Sequence, residues 1–291
     1  MQRMFLLRPC KAVEQIFLYC LAVAAKRFDI DILWLMVLSN HVHLGIYDHH
    51  GHFPAFTRYL HSLVARALNC HWGRWENFWA TEPTSMVHLV NAEDELGKLV
   101  YSLVNPVEAN LVTHVTHWPG PNSLDAQLHD KTLTIARPKE FFDADGSMPE
   151  TVTLRFARPP GYRHLTQREW TDLIRAEIAK EEARLAAERE AAGTRVVGRK
   201  TILRQDAFAT PATHEPRRDL SPRVACKSKW HRIEQLRRDK EWETAYRGAF
   251  ELRRAGDPDV VFPAGTYRYW VLGLVRREPF PPPLAGPPAD A

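Results

Sequence analysis

The apolar positions of this chain change period several times within the first 125 residues. Over 11–28, Val13, Ile16, Phe17, Cys20, Leu21 and Ala24 recur every three to four residues, which predicts an amphipathic helix. Ile32–Leu38 is a short apolar run rich in strand formers, Ser39–Asn40 is a turn, and His41–Tyr47 alternates as a second strand. Phe56, Tyr59, Leu60, Leu63, Val64, Ala67 and Leu68 form one stripe of a helix over 53–70. Met86–Val90 is a candidate strand. Residues 92–105 follow as a helix whose acidic opening (Glu93, Asp94, Glu95) suits the positive end of the helix dipole. Pro106 has no N–H to donate and is expected to stop it.

The order helix, strand, strand, helix, strand, helix predicts an α+β fold, with a mostly antiparallel sheet and helices on one or both faces. Two consecutive strands joined by a two-residue turn pair antiparallel, which argues against a parallel doubly wound sheet. From about 126 the texture changes. Leu133–Arg137 and Val152–Phe156 are strand-like runs around a turn at Asp143–Gly146. A charged helix over 166–191 carries Trp170, Leu173, Ile174, Ile178 and Leu185 on one face. An irregular basic stretch over 193–227 leads to a second long helix over 227–255, in which aromatics alternate with Lys and Arg. A last strand is expected over 266–275 and a disordered Pro-rich tail from Pro279. The expected division is an α+β unit over 1–125, a mainly helical, basic extension over 126–275 and a tail over 276–291.

Composition adds little to this picture and charge distribution adds more. With 45% hydrophobic and 25% charged residues, the chain has the make-up of an ordinary globular protein. A net charge of +4 is too mild to demand a nucleic-acid partner, yet residues 195–254 hold 16 Lys/Arg against 8 Asp/Glu. Such a segment serves equally as a phosphate-tracking surface and as the wet face of a basic helix. Four cysteines without close spacing argue against a disulfide framework or a cysteine zinc knuckle, and point to reduced thiols in a cytoplasm. No apolar run reaches the roughly 18–20 residues of a membrane span, so no membrane partner is expected. Arg3, Arg8 and Lys11 ahead of Ile16–Ala25 imitate a secretion signal, but Glu14–Gln15 and the helical spacing favour a buried first helix.

Candidate chemistry begins at His41-Val42-His43. On a strand, both imidazoles share one face while Val42, Leu44 and Ile46 share the other, buried one. With 14 histidines in the chain such a pair arises roughly once by chance, and His50-Gly51-His52 is a second example in a polar loop. On the helix ahead of Pro106, Tyr101 and Asn105 stand one turn apart on one face. A phenol is a nucleophile, and two imidazoles with a carboxamide are a metal face with positions left for phosphate oxygens. Taken alone, these residues read more readily as packing: Tyr101 among Val100, Leu103 and Val104, and Asn105 as a cap ahead of Pro106.

The two motifs in order carry a resemblance. Met36-Val37-Leu38-Ser39-Asn40-His41-Val42-His43-Leu44 resembles the metal-binding strand of the HUH single-tyrosine transposases, in particular the REP-associated tyrosine transposases. Tyr101-Ser102-Leu103-Val104-Asn105-Pro106-Val107-Glu108-Ala109-Asn110-Leu111-Val112, followed by Trp118-Pro119, looks like that family's nucleophile helix. Gly73-Arg74-Trp75-Glu76-Asn77-Phe78-Trp79 resembles the Trp-rich segment before it. The resemblance covers about residues 4–122. It implies a ferredoxin-like catalytic domain in which Tyr101 attacks single-stranded or hairpin DNA to give a 5′-phosphotyrosine. His41, His43 and Asn105 would hold Mg²⁺ or Mn²⁺, and the protein would act as a monomer or homodimer. It also implies a first strand ahead of the segment aligned with Gln2–Arg8, which this sequence lacks; that would leave a sheet edge open.

Residues 1–120 hold 9 Lys/Arg against 10 Asp/Glu, so no DNA-binding patch stands out there. Arg58, Arg66, Arg74 and Lys98 are the candidates in that half, with Lys227, Lys229 and Arg232 in the basic helix region. Two rivals are a decayed or domesticated transposase that binds DNA hairpins without cutting them, and a histidine-triad-type nucleotide phosphohydrolase. The second would want a histidine where Gly45 stands.

Overall fold

The structure, a computed structural model, describes residues 3–82, 84–212, 222–266 and 272–274. Its centre is a hairpin of strands β1 (Ile30–Val37) and β2 (Val42–Asp48), preceded by helix α1 (Lys11–Phe28). α1 ends at Asp29, whose left-handed backbone (φ 53°) turns the chain into β1, a conformation that Asp tolerates better than most residues. The tight turn at Ser39–Asn40 is closed by the Leu38 N–H donating to the His41 carbonyl at 2.9 Å.

The hairpin is not regular. Ile32 faces Ile46 and Trp34 faces Gly45, so Leu33 is an extra residue on β1, a β-bulge. Ahead of the bulge Ile32, and beyond it Leu35 and Val37, join the core made with α1 and helix α2 (Phe53–Trp72). Leu33, Trp34, Met36 and Leu38 join a second core with helix α3 (Ala92–Glu108) and helix α5 (Gln167–Ala191). The extra residue thus puts two consecutive side chains, Leu33 and Trp34, on the α3 side of the sheet. β1 is bonded along both edges. Opposite β2, the Val37 N–H donates to Pro121, the Ser123 N–H donates to Leu35 and the Ala157 N–H donates to Ile32. Among the described residues β2 pairs only with β1.

The fold is mixed α+β, with small sheets rather than one large one. Strand β3 (His88–Leu89) shrinks the expected Met86–Val90 strand to two residues. It pairs in parallel with β6 (Val224–Ala225) and not with the hairpin. β4 (Leu133–Ala136) and β5 (Thr151–Leu154) form an antiparallel pair against α1. The expectation that Pro106 stops its helix is corrected: α3 runs on to Glu108. Pro106 costs one backbone bond, but it and Val107 are buried, and its carbonyl accepts from Leu111 at 2.9 Å.

The expected boundary near 125 does not separate two cores. Trp170, Ile174, Ile178 and Leu185 of α5, together with Ile202 of α6 (Arg199–Arg204), pack with α3. Ile135, Val152, Leu154 and Phe156 pack with α1 and α2. α5 opens on a complete capping box at Thr166 and Glu169. The short helix α4 (Leu124–Leu128) joins the two halves. Helix α7 (Lys229–Arg254) buries only Ala249, in a small cluster with Val260 and Phe262. Most of the expected last strand over 266–275, and the tail, lie outside the described residues. Among those described, no helix is long and apolar enough to cross a membrane.

Candidate metal and nucleophile site

Strand alternation and the hairpin turn together set the first half of the site. His41 closes the turn and His43 stands opposite Met36, whose side chain belongs to the α3 core. The two imidazoles lie edge to face with ring centroids 5.0 Å apart. α3 supplies the second half. Tyr101 and Asn105 project from one face of α3, and the Tyr101 ring lies 5.7 Å from that of His43, again edge to face. Asn105, 9% exposed, lies close enough to both His41 and the Tyr101 phenol for its carboxamide to raise the pKa of the first and lower that of the second. Nδ1 of His41 lies 2.8 Å from Oδ1 of Asn40. A carbonyl oxygen only accepts, so this bond places the proton on Nδ1 and the lone pair on Nε2.

Trp34 fixes the distance between the two halves. Its indole lies across Gly45, where a Cβ would come within 2.5 Å of Cε3 and closer still to Cδ2 and Cε2. Its Nε1 donates to Oγ of Ser102 at 3.1 Å, and Ser102 in turn donates to the Lys98 carbonyl at 2.7 Å. Ser102 directly follows Tyr101, so a buried indole wedged against a side-chain-free strand position holds α3 at its height above β2. The bulge at Leu33 is what turns Trp34 to this side.

Burial controls the electrostatics. It lowers both histidine pKa values, and His43, with the charges of His41 and Lys98 adding to the effect, is pushed down to about 4. Both imidazoles are therefore neutral at neutral pH and keep a lone pair. Burial raises the pKa of Tyr101, and the carboxylate of Glu108 raises it further, so the phenol rests protonated. Tyr101 is 41% exposed, and Nζ of Lys98 sits 4.7 Å from its ring centroid.

The donor set fits a divalent cation. Nε2 of His43 is buried and has no hydrogen-bond partner, an uncompensated polar atom that a metal ion would satisfy. No three His, Cys, Asp or Glu residues converge on a metal position among the described residues. The third donor available here is the Asn105 carboxamide oxygen, a neutral ligand suited to Mg²⁺ or Mn²⁺ alongside phosphate oxygens.

The other residues singled out in the sequence divide. Lys98 stands at the site, and Lys227, exposed, lines a groove that also borders Tyr101. Lys229 and Arg232 are exposed on the first turn of α7, where Arg232 donates to the Cys226 carbonyl. Arg58 and Arg66 are exposed on α2, which covers the opposite face of the sheet, so the structure takes them away from Tyr101. Arg74 is a brace and not a surface cation: its side chain is 8% exposed and contacts Met4, Glu76 and the Phe208 ring. His50 and His52 lie apart from the site, held by Asp29 and the Phe28 carbonyl. In the Trp-rich segment Phe78 is buried and Trp79 donates to His61, while Trp75 is almost wholly exposed. Trp118 donates to the Val37 carbonyl at the end of β1.

Trp34 and Ser102 were not expected from the sequence. The signal that could have found them is Gly45, since a glycine inside an alternating strand marks a close approach by something else. Compared with family models, curated proteins and solved structures, the chain matches none.

Proposed function

We propose that this chain is a cytoplasmic enzyme that nicks and rejoins single-stranded or hairpin DNA, a transposase of the HUH single-tyrosine kind. In this reading the β1–β2 hairpin with α1, α2 and α3 is the ferredoxin-like HUH catalytic domain. Tyr101 is the nucleophile, and His41, His43 and Asn105 hold Mg²⁺ or Mn²⁺. One observation carries it. Two motifs some sixty residues apart in sequence meet across β2 and α3, with the Tyr101 ring 5.7 Å from that of His43, His41 beside His43, and Asn105 on the same helix face as Tyr101.

The chemistry follows from the groups present. Oη of Tyr101 forms a bond to phosphorus as the bond from phosphorus to the 3′ oxygen breaks. The phenolic proton ends on the released 3′-hydroxyl, so the products are a 5′-phosphotyrosine and a free 3′ end. Attack by a second 3′-hydroxyl reverses the step and joins strands. Asn105 orients the phenol, and Trp34 with Ser102 keeps its helix in reach of the histidine pair. The neutral imidazoles and carboxamide would leave the positive charge of a bound divalent ion undiminished, and that charge would polarise a phosphate oxygen.

The test is covalent capture. Labelled single-stranded hairpin DNA incubated with the protein and Mn²⁺ should yield an adduct that survives denaturation, is lost in Tyr101→Phe and is abolished by chelator. An adduct that persists in Tyr101→Phe would overturn the residue assignment. Hairpin binding without any adduct would favour a protein that recognises DNA without cutting it.

A further inference from the structure

A pocket of about 430 Å³ opens where residues 155–163, the segment between β5 and α5, cross the start of β1. Its charged lining is Arg155, Arg158 and Arg163 with Asp31 and Asp130, and Gln127 of α4 adds a carboxamide. The Ala157 N–H donates to the Ile32 carbonyl at 2.8 Å and ties this segment to the sheet. Asp31 stands five residues before Met36, the partner of His43, so the pocket lies roughly 15 Å along β1 from the histidine pair. None of its residues belongs to the histidine and tyrosine site.

Two polar groups in the pocket are incompletely satisfied. The first is Arg158. Its neighbours are neutralised in pairs: Nη2 of Arg155 lies 2.9 Å from both carboxylate oxygens of Asp130, and Arg163 donates to Asp31 at 3.0 Å, with His49 3.1 Å from the same carboxylate. Arg158, half-buried, donates to the Leu165 carbonyl and, at 2.8 Å, to the Gln167 carboxamide oxygen, and among the described residues it has no carboxylate partner. Outside the lining, Glu95 accepts from the Gly161 N–H at 3.0 Å and Asp125 is paired with Lys131, so neither serves Arg158 as counter-ion. Two neutral acceptors therefore fix this guanidinium without neutralising it, and three of its five N–H groups remain to donate. The second group is Gln127, 4% exposed. Its Nε2 donates to Oγ of Ser123 at 2.7 Å, whereas its Oε1 is buried and has no hydrogen-bond partner. Each is a cost that a bound group would remove.

The chemistry of these two groups selects the occupant. An oxyanion answers Arg158, and guanidinium groups bind phosphate through paired N–H donors. Arg155 and Arg163 keep N–H groups that their aspartates do not use. A tetrahedral phosphate, with oxygens pointing in several directions, can accept from more than one arginine, which a flat carboxylate does less well. A hydroxyl answers Gln127, since it donates to Oε1 and would equally accept from the amide nitrogen if the carboxamide turned over. The volume falls within the range of small-molecule sites, about 300–1,000 Å³. We propose that this pocket binds a small sugar phosphate, with the phosphate on Arg158 and a sugar hydroxyl on Gln127. A free sugar phosphate and a mononucleotide share this chemistry. The proposal does not depend on the DNA-nicking reading.

The test is titration calorimetry on the whole chain with ribose 5-phosphate, adenosine 5′-monophosphate, ribose, inorganic phosphate and succinate. Ribose 5-phosphate should bind at least about tenfold more tightly than ribose, inorganic phosphate or succinate, the scale of one charge-assisted hydrogen bond. Tighter binding of the monophosphate than of ribose 5-phosphate would identify a mononucleotide as the source, and weaker binding a free sugar phosphate; both support the pocket. Arg158→Gln should weaken ribose 5-phosphate by about tenfold or more. Because Arg158 also braces Leu165 and Gln167, a second variant removes only an exposed pair: Arg155→Gln/Asp130→Asn should weaken binding by about threefold and leave the unfolding midpoint unchanged. Equal binding of ribose or succinate and ribose 5-phosphate would overturn the phosphate assignment. Affinity unchanged in both variants would place the ligand elsewhere and overturn the pocket. Saturating ribose 5-phosphate should leave hairpin DNA bound to the Tyr101→Phe chain; displacement of the DNA would show that the phosphate occupies a DNA surface and would overturn the proposal of a separate site. Adducts with DNA but no binding of ribose 5-phosphate would overturn this proposal alone and leave the nicking reading intact.

Discussion

Replacing Gly45 by Ala is the sharpest probe of how the site is held. The added methyl would overlap the Trp34 ring, which is only 4% exposed and packed in the α3 core. Inserting one methyl group into a packed core costs about 1–3 kcal/mol. If the indole retreats, its Nε1 loses Ser102 and becomes a buried donor without a partner, a loss of the same order, about 1–3 kcal/mol. The two costs are alternatives in part, since relaxation trades one for the other, so about 2 kcal/mol is expected. Urea unfolding of Gly45→Ala should show a lower midpoint with an unchanged slope. The explanation is specific to Trp34. In a Trp34→Leu background, where the smaller side chain leaves room, Gly45→Ala should cost less than about 0.5 kcal/mol, giving a coupling above about 1 kcal/mol. Equal costs in the two backgrounds would refute the wedge. The same substitution should slow adduct formation with hairpin DNA more than it weakens binding, because it moves Tyr101 relative to His43 and removes no positive charge.

Further outcomes follow from placement and burial. Lys98→Ala and Lys227→Ala should each reduce the salt slope of single-strand binding by somewhat under 1, whereas Arg58→Ala/Arg66→Ala should leave it unchanged; a slope that responds only to the α2 pair would reverse the assigned DNA face. Under native conditions a thiol reagent should label exposed Cys70 first and half-buried Cys10 more slowly, with Cys20 and Cys226 reacting only after unfolding. Burial pushes the Cys20 thiol up to about 12, above its usual value near 9, so its neutral form is favoured by folding. That contribution is complete below pH 9 and is lost as pH rises toward 12; a melting temperature that climbs across this window would contradict it. Thr166→Ala removes the capping box of α5 and should destabilise the protein by about 1 kcal/mol in thermal melts, while Thr166→Ser should cost little.

Local chemistry made much of the molecule legible in advance. Helical spacing marked α1, α2, α5 and α7 within a few residues, because each carries an apolar stripe whose period needs no knowledge of a partner. The Ser39–Asn40 turn and the two-residue alternation after it placed His43 on one face and Val42, Leu44 and Ile46 on the other, and these three do pack on the α1–α2 core. The four-residue spacing of Tyr101 and Asn105 put both on one helix face for the same reason. The short strands were harder. His88–Leu89 finds its partner more than 130 residues away at Val224–Ala225, and no local period announces such a pairing. Pro106 misled because burial of its neighbours outweighs one missing backbone bond.

Periodicity along the chain thus chose which side chains could share a face, but long-range packing chose which faces meet. That His41 and His43 look toward Tyr101 depends on α3 crossing the α3-facing side of the sheet. Its height there is set by one indole that a bulge has turned through the sheet to lie against a glycine. Arg58, Arg66 and Arg74 resemble Lys98 in composition and charge. They differ only in lying across the sheet or under Phe208, a distinction that arises when elements distant in sequence bury surface against each other.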